Sequence, residues 1–534
     1  MQDEQIERES MDFDVVIVGG GPSGLSAAIR LRQLALQAGL DEFMVCVVEK
    51  GSEFGAHTLS GAVIEPRALD ELIPDWKEKG APLNVPVTED RVFYLNSATR
   101  SIRTPDSIIP APMHNQGNYI VSLGNVVRWL AEQAEELEVM MFPGFPASEV
   151  LYNDDGSVRG VLTGDMGVAA DGSQKPSYEP GYELNAKYTI FAEGCRGHLG
   201  KRLISRFALD KDSDPQHYGI GIKELWEIDS SKHEPGVVMH GLGWPLTETG
   251  SSGGWWLYHD ENNQVSFGLV VDLSYHNPYM SPFDEMQRLK THPVIKEVLE
   301  GGKRLSYGAR ALTKGGLNSL PKLTFPGGVL VGDDAGFLNP AKIKGTHTSM
   351  KSGMLAAEAI FAALQSGRQH DEVETYSQMF KDSWLYEDNY SARNFAPAMH
   401  RMGLFMGGAF TFIEHNLLKG KMPLTIRDTT PDYDNLDKAS TSYKPDYPKP
   451  DGKLTFDKLS SVFISNTNHA EDQPSHLKLT DPTVPVTVNL PIYAEPAQRY
   501  CPAGVYEIVK DAEGAKFVIN AQNCVHCKTC DIKD

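Results

Sequence analysis

The chain has 534 residues, 41% of them hydrophobic and 23% charged, with a formal net charge of −21. That length exceeds a single core and asks for roughly two to four domains. The acidity excludes a nucleic-acid binder, which needs a basic face toward phosphate.

The first ten residues, MQDEQIERES, are acidic and polar, and carry neither a signal-peptide apolar core nor an Arg-rich transit sequence. DFDVVIVGGGPSGLSAAIRL then reads as strand, tight turn and helix. Val15, Val16, Ile17 and Val18 form the continuous β-branched run of a buried parallel strand. Gly19, Gly21 and Gly24 fill G-x-G-x-x-G: the first allows the turn, the second lets backbone approach a pyrophosphate, the third lets helix pack on strand. Pro22 and Ser23 open a helix whose free N–H groups and positive dipole end face the phosphates. The next strand, FMVCVVEK, ends at Glu49, placed to bond a ribose hydroxyl. FAD and NAD both fit these motifs.

Further along, IIPAPM, Ile108 to Met113, is an apolar loop. YTIFAEGCRGHLGKRL predicts a short strand, Tyr188 to Ala192, running into Glu193-Gly194 and a helix. From about Pro215 to Pro321, short apolar runs alternate with Gly, Pro and aromatic clusters, which predicts an antiparallel sheet. Within it Gly253 and Gly254 precede Trp255, Trp256 and Tyr258. Bare backbone beside aromatic walls suits a flat apolar ligand, and equally suits a core turn among packed aromatics. GGVLVGDDAGFLNP predicts a strand, Val329 to Val331, then Gly332-Asp333, a small-residue turn and a helix. Met402 to Ile413, MGLFMGGAFTFI, is too short to span a bilayer. With His400 and Arg401 before it and Lys419 and Lys421 after, it fits either a segment lying in a membrane interface or core.

Composition shifts after about Thr429, where DYPKPDGKLTFDKL and NTNHAEDQPSHLKL read as polar connecting segments with short strands. The six cysteines are Cys46, Cys195, Cys501, Cys524, Cys527 and Cys530, and four of them fall in the last 34 residues. Such crowding points to metal or cluster ligands in a reducing compartment. Cys524-x2-Cys527-x2-Cys530, with remote Cys501 followed by Pro502, matches a four-thiolate [4Fe–4S] site. Zinc, which favours paired C-x2-C knuckles, suits the run less well. His526 is read as a spacer between ligands. Tyr506 and Thr529 carry hydroxyls close to the cysteines, either as donors that raise a cluster's potential or as ordinary surface polarity.

The order G-x-G-x-x-G, A-E-G, G-D resembles the FAD-binding family that includes the aromatic hydroxylases. That likeness implies that Asp333, after Gly332, binds the FAD ribityl chain, and that the helix beyond points its N-terminus at the flavin pyrimidine ring. No second G-x-G-x-x-G unit for NAD(P)H follows. GAHTLSGAVIEPRAL, APMHNQGNYIV, PQHYGIGIKELW, EGGKRLSYGARAL, KIKGTHTSMKSGM, YPKPDGKLTFD and CPAGVYE resemble the electron transfer flavoprotein–ubiquinone oxidoreductase family, and span nearly the whole chain.

This resemblance implies an oxidoreductase that takes electrons from reduced electron transfer flavoprotein, itself supplied by acyl-CoA and related dehydrogenases, and passes them to ubiquinone. The implied cofactors are FAD and one [4Fe–4S] cluster. Gly253 and Gly254 match the family's quinone-contacting glycines, Asn339 lies in the stretch approaching the flavin, and Met402–Ile413 falls in its membrane-associated segment. The implied fold is a Rossmann-like FAD domain of the aromatic-hydroxylase type (1–80, 115–215 and 320–395), an antiparallel-sheet quinone domain (81–114, 216–319 and 396–430) and a ferredoxin-like [4Fe–4S] domain (431–534). The implied location is monotopic, on the inner face of a bacterial cytoplasmic membrane, or the matrix side of the mitochondrial inner membrane for a processed form. Two departures stand out. The family's N-V-P-K reads Asn339-Pro340-Ala341-Lys342 here, and the chain stops at Asp534 where relatives continue with a Gly-rich tail, an expectation of truncation. Two competing readings are an FAD hydroxylase with an added module and a non-catalytic scaffold stapled by its cluster.

Overall fold

The computed structural model describes residues 7–58, 61–512 and 514–534. Its first sheet has a parallel core with the spatial order Met140–Pro143, Val45–Glu49, Ser10–Val18, Glu183–Phe191, Gly328–Leu330. Val15–Val18 lies between two parallel neighbours and is buried, as its unbroken apolar run requires. The helix Pro22–Gln37 follows the first strand, and the long helix Thr346–Gln365 packs beside it. Two strand boundaries differ from the sequence reading. The A-E-G strand starts earlier, at Glu183, because Glu183–Ala186 pairs with Ser10–Phe13. The G-D strand is Gly328–Leu330, and Val331 instead caps the short helix Gly332–Ala335.

The second sheet has seven strands, in the order Lys303–Thr313, Tyr218–Glu227, Gln264–Asp272, Gly253–His259, Val237–Gly243, Glu89–Leu95, Ser101–Thr104. The antiparallel expectation needs one correction: Val237–Gly243 pairs in parallel with Glu89–Leu95. That strand arrives from before the central region, so no hairpin joins the pair, and a hairpin is what forces antiparallel pairing.

The sheet alternates faces along each strand. Trp255 and Leu257 point into one core, with Phe267 and Trp226. Trp256 and Tyr258 point to the other face, where Val63, Val85 and Ile120, from a small sheet of Ala62–Ile64, Tyr119–Val121 and Val85–Pro86, cover Tyr258. Gly61 packs so closely here that a Cβ on it would overlap the Ser266 side chain. That face of the second sheet is therefore covered by the segments around Gly61, Val85 and Ile120.

The C-terminal module corrects another expectation. Between Thr429 and Cys501 the described residues contain turns and short helices and no strand. The segment read as a strand-bearing connector holds the helix Lys458–Phe463, started by Asp457, whose carboxylate accepts from the Ser460 N–H. The strands Tyr506–Asp511 and Gly514–Ile519 pair as a hairpin. Lys533 pins the module down: its buried ammonium donates to the carbonyls of Leu273 (2.7 Å), Tyr275 (2.9 Å) and Asp432 (3.3 Å).

Candidate functional site

The glycine loop has the stereochemistry that a bound pyrophosphate requires. Gly19 has φ +110° and lies against the Ala192 carbonyl, which a Cβ would overlap. Gly24 lies against the Gly19 carbonyl. Gly21 differs from both: a Cβ there meets nothing within 4 Å, so open space lies over it. Gly21 caps the helix beginning at Pro22 and Ser23, with no side chain bonded to the free N–H groups and no acid in the first turn. An anion fits that end. Glu49 closes its strand beside the loop and accepts from the N–H groups of Gly20 (2.9 Å) and Gly51 (2.7 Å).

The G-D motif approaches the same region from the other side. Gly332 has φ +62°, and a Cβ on it would meet Ser23 Cβ at 2.9 Å. The Asp333 carboxylate accepts from the Thr313 hydroxyl and, at 3.4 Å, from the Thr313 N–H. Burial pushes the Asp333 carboxyl up, and the Thr313 bonds oppose it. The helix Thr346–Gln365 starts at Gly345 with no side-chain cap and no acid in its first turn, a second uncapped N-terminus. Asn339 is buried, with its carbonyl accepting from the N–H groups of Ala341 and Lys342 (3.0 Å each) and its amide donating to the Asp388 carbonyl (3.2 Å). It fixes the turn Pro340–Lys342. These residues fit FAD: open space over Gly21, two uncapped helix starts and acids at both flanks.

Gly253 and Gly254 begin their strand partly exposed, and space above them is tight. A Cβ on Gly253 would reach Leu246 Cδ1 at 2.8 Å, and one on Gly254 would reach Leu242 Cδ2 at 3.2 Å. Gly254 shares the covered face of the second sheet with Trp256 and Tyr258. The sequence did not single out two titratable groups on that face. His240 Nε2 lies 2.8 Å from the Tyr258 hydroxyl. Lys223, opposite Gly268, donates to the Gly61 carbonyl at 3.3 Å, and burial lowers its pKa to about 7.

The C-terminal cysteines are all free thiols. Cys501 and Cys527 are buried, Cys524 and Cys530 partly so. Burial raises Cys524 to about 11 and also raises Cys527 and Cys530, and in each case the neighbouring cysteine sulfurs add to the rise. Four thiolates that disfavour one another need a strongly cationic centre among them. Backbone supports it: the Val505 N–H points at Cys501 Sγ and the His526 N–H at Cys524 Sγ, each at 3.4 Å. Tyr506 donates to Cys530, and Thr529 Oγ1 lies 3.3 Å from Cys527 Sγ. This donor set fits the [4Fe–4S] assignment.

Cys524 also belongs to a tighter group. Ligand atoms of His476, Cys524 and His526 all lie within 4.8 Å of one another. The His526 ring is packed between those of His57, His469 and His476. Burial, then Lys50 and these rings, lower the His526 pKa to about 2, so its ring is a neutral imidazole beside Cys524. Sequence spacing gave no sign of it, because its members come from three separate segments.

The strand Lys303–Thr313 joins the two halves of the site. The Tyr307 hydroxyl donates to the Pro502 carbonyl (2.8 Å), Arg310 to the His526 carbonyl (3.0 Å), and the Ala311 N–H to the Cys527 carbonyl (2.8 Å). Two residues on, Thr313 holds Asp333. Arg310 also reaches the carbonyl of Glu193, in the A-E-G turn, at 3.5 Å. At ~3.3 Å per residue, the cysteine loop and the G-D turn are anchored about 7 Å apart along one strand.

The two predicted apolar segments meet on the surface. The helix Phe395–Phe412 is broken at Gly403 (φ 73°, ψ 178°) and doubles back, so that Gly407 rests on Ala398. Asn416 accepts from the Ala111 N–H (2.8 Å) and donates to the Ile109 carbonyl (3.1 Å), tying the Ile108–Met113 loop to this hairpin. Phe405 is 74% exposed, Met406 71%, Leu417 66% and Ile108 54%, a concentration of apolar surface that water does not favour. Among the described residues no helix is long and apolar enough to cross a membrane.

Comparison with known proteins gives three family matches: "ETF-QO, ubiquinone-binding" over residues 218–312, "Electron transfer flavoprotein-ubiquinone oxidoreductase, 4Fe-4S" over 452–534, and "NAD(P)-binding Rossmann-like domain" over 17–73. The chain is 66% identical to a probable electron transfer flavoprotein-ubiquinone oxidoreductase of Acinetobacter baylyi, covering 99% of this chain and 96% of that one. It is 53% identical to the human mitochondrial electron transfer flavoprotein-ubiquinone oxidoreductase, covering 99% of this chain and 87% of that one. Among solved structures, it is similar to a geranylgeranyl bacteriochlorophyll reductase-like protein of Thermoplasma acidophilum, with TM-score 0.57, 19% identity, and coverage of 78% of this chain and 94% of that one. A myxobacterial FAD-dependent halogenase gives TM-score 0.51, 16% identity, and coverage of 77% and 91%. At those identities the two structures speak for the fold alone.

Proposed function

The chain belongs to the electron transfer flavoprotein–ubiquinone oxidoreductase family, and from that premise we propose how its residues do the work. It is an oxidoreductase that carries electrons from electron transfer flavoprotein to ubiquinone, with FAD and a [4Fe–4S] cluster as cofactors. FAD supplies a carrier that handles electrons singly or in pairs, and the cluster supplies a one-electron station, which together match a one-electron donor to a two-electron quinone.

The protein's own part is to hold these groups and position them. Gly19, Gly21, Pro22, Ser23 and Gly24 cradle the pyrophosphate, Glu49 addresses the ribose, and Gly332 and Asp333 address the ribityl chain. Asn339 sets the turn leading to the uncapped helix start at Gly345. Cys501, Cys524, Cys527 and Cys530 ligate the cluster, while Tyr506 and Thr529 stabilise its reduced form by hydrogen bonding to sulfur. Gly253 and Gly254 contribute bare backbone to the quinone site. The division into FAD, quinone and cluster domains follows these roles, at 1–80, 115–215 and 320–395; at 81–114, 216–319 and 396–430; and at 431–534.

One observation carries this reading. The strand Lys303–Thr313 fastens the cysteine loop at Ala311 and the flavin-side Asp333 at Thr313. Such a brace holds two redox groups at a fixed short separation. The hairpin patch around Phe405 and Ile108 supports monotopic seating on a membrane. Bacterial and mitochondrial relatives both exist, and we assign this chain to the inner face of the bacterial cytoplasmic membrane or its mitochondrial equivalent. The test is Cys501→Ser. It should remove acid-labile sulfide and the reduced-cluster paramagnetic signal while leaving the flavin spectrum intact. Retention of the cluster signal would overturn the ligand set, and full activity with electron transfer flavoprotein and ubiquinone would overturn the relay.

A further inference from the structure

Reduction of a quinone to a quinol consumes two electrons and two protons, and the elements described so far account only for the electrons. A cleft of about 380 Å3 lies beside the turn after Asn339, lined among others by Glu65, Arg67, Asp70, His114, Lys342 and Lys344. His114, at its mouth, is exposed. Behind the cleft stands a connected set of ionisable groups. Lys342 Nζ lies 2.8 Å from the Glu65 carboxylate and 2.9 Å from that of Asp388. His347 Nε2 lies 3.2 Å from Asp388 and 3.6 Å from Glu65. Side-chain exposure falls along the series, from 21% at Glu65 to 19% at Lys342, 15% at Asp388 and 0% at His347, so it runs from solvent inward.

The inner end carries a buried ring nitrogen. His347 is fully buried, and among the described residues its Nδ1 has no hydrogen-bond partner. The groups around the ring are Asp388 and Trp384 from the helix Trp384–Ala392, Glu65 after the strand Ala62–Ile64, and Lys342 in the approach turn. Arg67 lies over Trp384, whose indole N–H is bonded to Glu71. None of these occupies Nδ1.

Where the ring sits follows from helix geometry. Gly353 rests on the Ser23 carbonyl, at the helix start assigned to the pyrophosphate. His347 is six residues nearer the free N-terminus of the same helix, about 9 Å further along at ~1.5 Å per residue. Lys344 of the cleft also lies within electrostatic reach of the second sheet. Burial, and then the charge of the cleft residue Lys344, lower the His240 pKa to about 3, and His240 stands opposite Trp256 on the Gly254 face.

We propose that this cleft and the series Glu65, Lys342, Asp388 and His347 form the proton inlet of the enzyme, carrying protons from bulk water to the flavin–quinone region. The inference rests on the function proposed above. In the overall balance, quinone, two electrons from the flavoprotein donor and two protons from water give the quinol, both carbonyl oxygens becoming hydroxyls. An imidazole suits the innermost step because it takes a proton at Nε2 from the Asp388 side while releasing one from Nδ1. Glu65 and Lys342 act as positioning and relay groups that keep this path connected to the cleft.

The test uses full-length holoprotein carrying Glu65→Gln or, separately, Lys342→Met. With reduced electron transfer flavoprotein and a short-chain ubiquinone analogue, each variant should lose about tenfold in rate at neutral and higher pH, with an enlarged solvent deuterium isotope effect. With ferricyanide, which accepts electrons and no proton, the same variants should stay within about twofold of wild type. Nitrogen-15 NMR of labelled histidines should show the His347 tautomer balance altered in Glu65→Gln. Equal losses with both acceptors would mean a structural role, and unchanged ubiquinone rates would mean that protons enter elsewhere; either overturns the inlet. A wild-type protein that reduces ferricyanide and never ubiquinone would defeat the proposed function, a separate outcome.

Discussion

Two alanine substitutions in one loop should fail in opposite ways. Gly21 has φ −82° and ψ −178°, extended backbone open to any residue, and an added Cβ meets nothing within 4 Å. Gly21→Ala should therefore shift the stability of the FAD-free protein by less than about 1 kcal/mol. The methyl would stand where the pyrophosphate approaches the helix start. Losing two charge-assisted N–H bonds there costs about 3 kcal/mol, roughly a hundredfold in FAD affinity. Gly24→Ala gains up to about 1 kcal/mol of helix propensity. Its Cβ, however, would overlap the Gly19 carbonyl and press Ile17 Cγ2 at 3.2 Å. Overpacking of that kind costs about 1–3 kcal/mol, and here the obstacle is backbone, so the upper end applies. The assays are thermal unfolding of the flavin-free proteins by circular dichroism and FAD titration by flavin fluorescence. Gly21→Ala should keep the wild-type melting temperature and lose the cofactor, whereas Gly24→Ala should lose both. FAD affinity of Gly21→Ala within threefold of wild type would refute the argument, as would a melting loss matching that of Gly24→Ala.

Thr529→Val removes the hydroxyl 3.3 Å from Cys527 Sγ; the cluster potential should fall, by ~60 mV for each 1.4 kcal/mol of lost preference for the reduced state, as read by a paramagnetic resonance redox titration. Phe405→Asp exchanges a ring that is 74% exposed for a charge; losing about 2 kcal/mol of interfacial burial should weaken liposome binding roughly thirtyfold, while activity on a water-soluble quinone analogue persists. Flotation unchanged in that variant would remove the hairpin from the membrane face.

The residues that bind cofactors through local backbone were readable in the sequence. Gly19, Gly21 and Gly24 have distinct jobs because two lie against different carbonyls and the third faces open space, and their spacing encodes that within six residues. The cysteine run and Cys501-Pro502 are likewise local signatures. The brace Lys303–Thr313 was not legible, because SYGARAL looks like any strand and its partners lie near residues 193, 333, 502 and 527. The imidazoles of His57, His469, His476 and His526 were hidden for the same reason. The parallel pair in the second sheet also depends on tertiary arrangement, since alternation alone carries no strand direction. Asn339 illustrates a subtler gap. Its motif named the residue, while its buried bonds to Ala341, Lys342 and Asp388 show it shaping the turn that leads to His347.

The central claim is electron transfer between two named partners across one braced site. The decisive measurement is the steady-state reduction of a ubiquinone analogue by the purified holoprotein, with reduced electron transfer flavoprotein as donor and NADH as the control donor. The account predicts sustained quinol formation with the flavoprotein and only background with NADH, which finds no second dinucleotide motif in the sequence. Quinone reduction driven by NADH, with the flavoprotein inert, would contradict it.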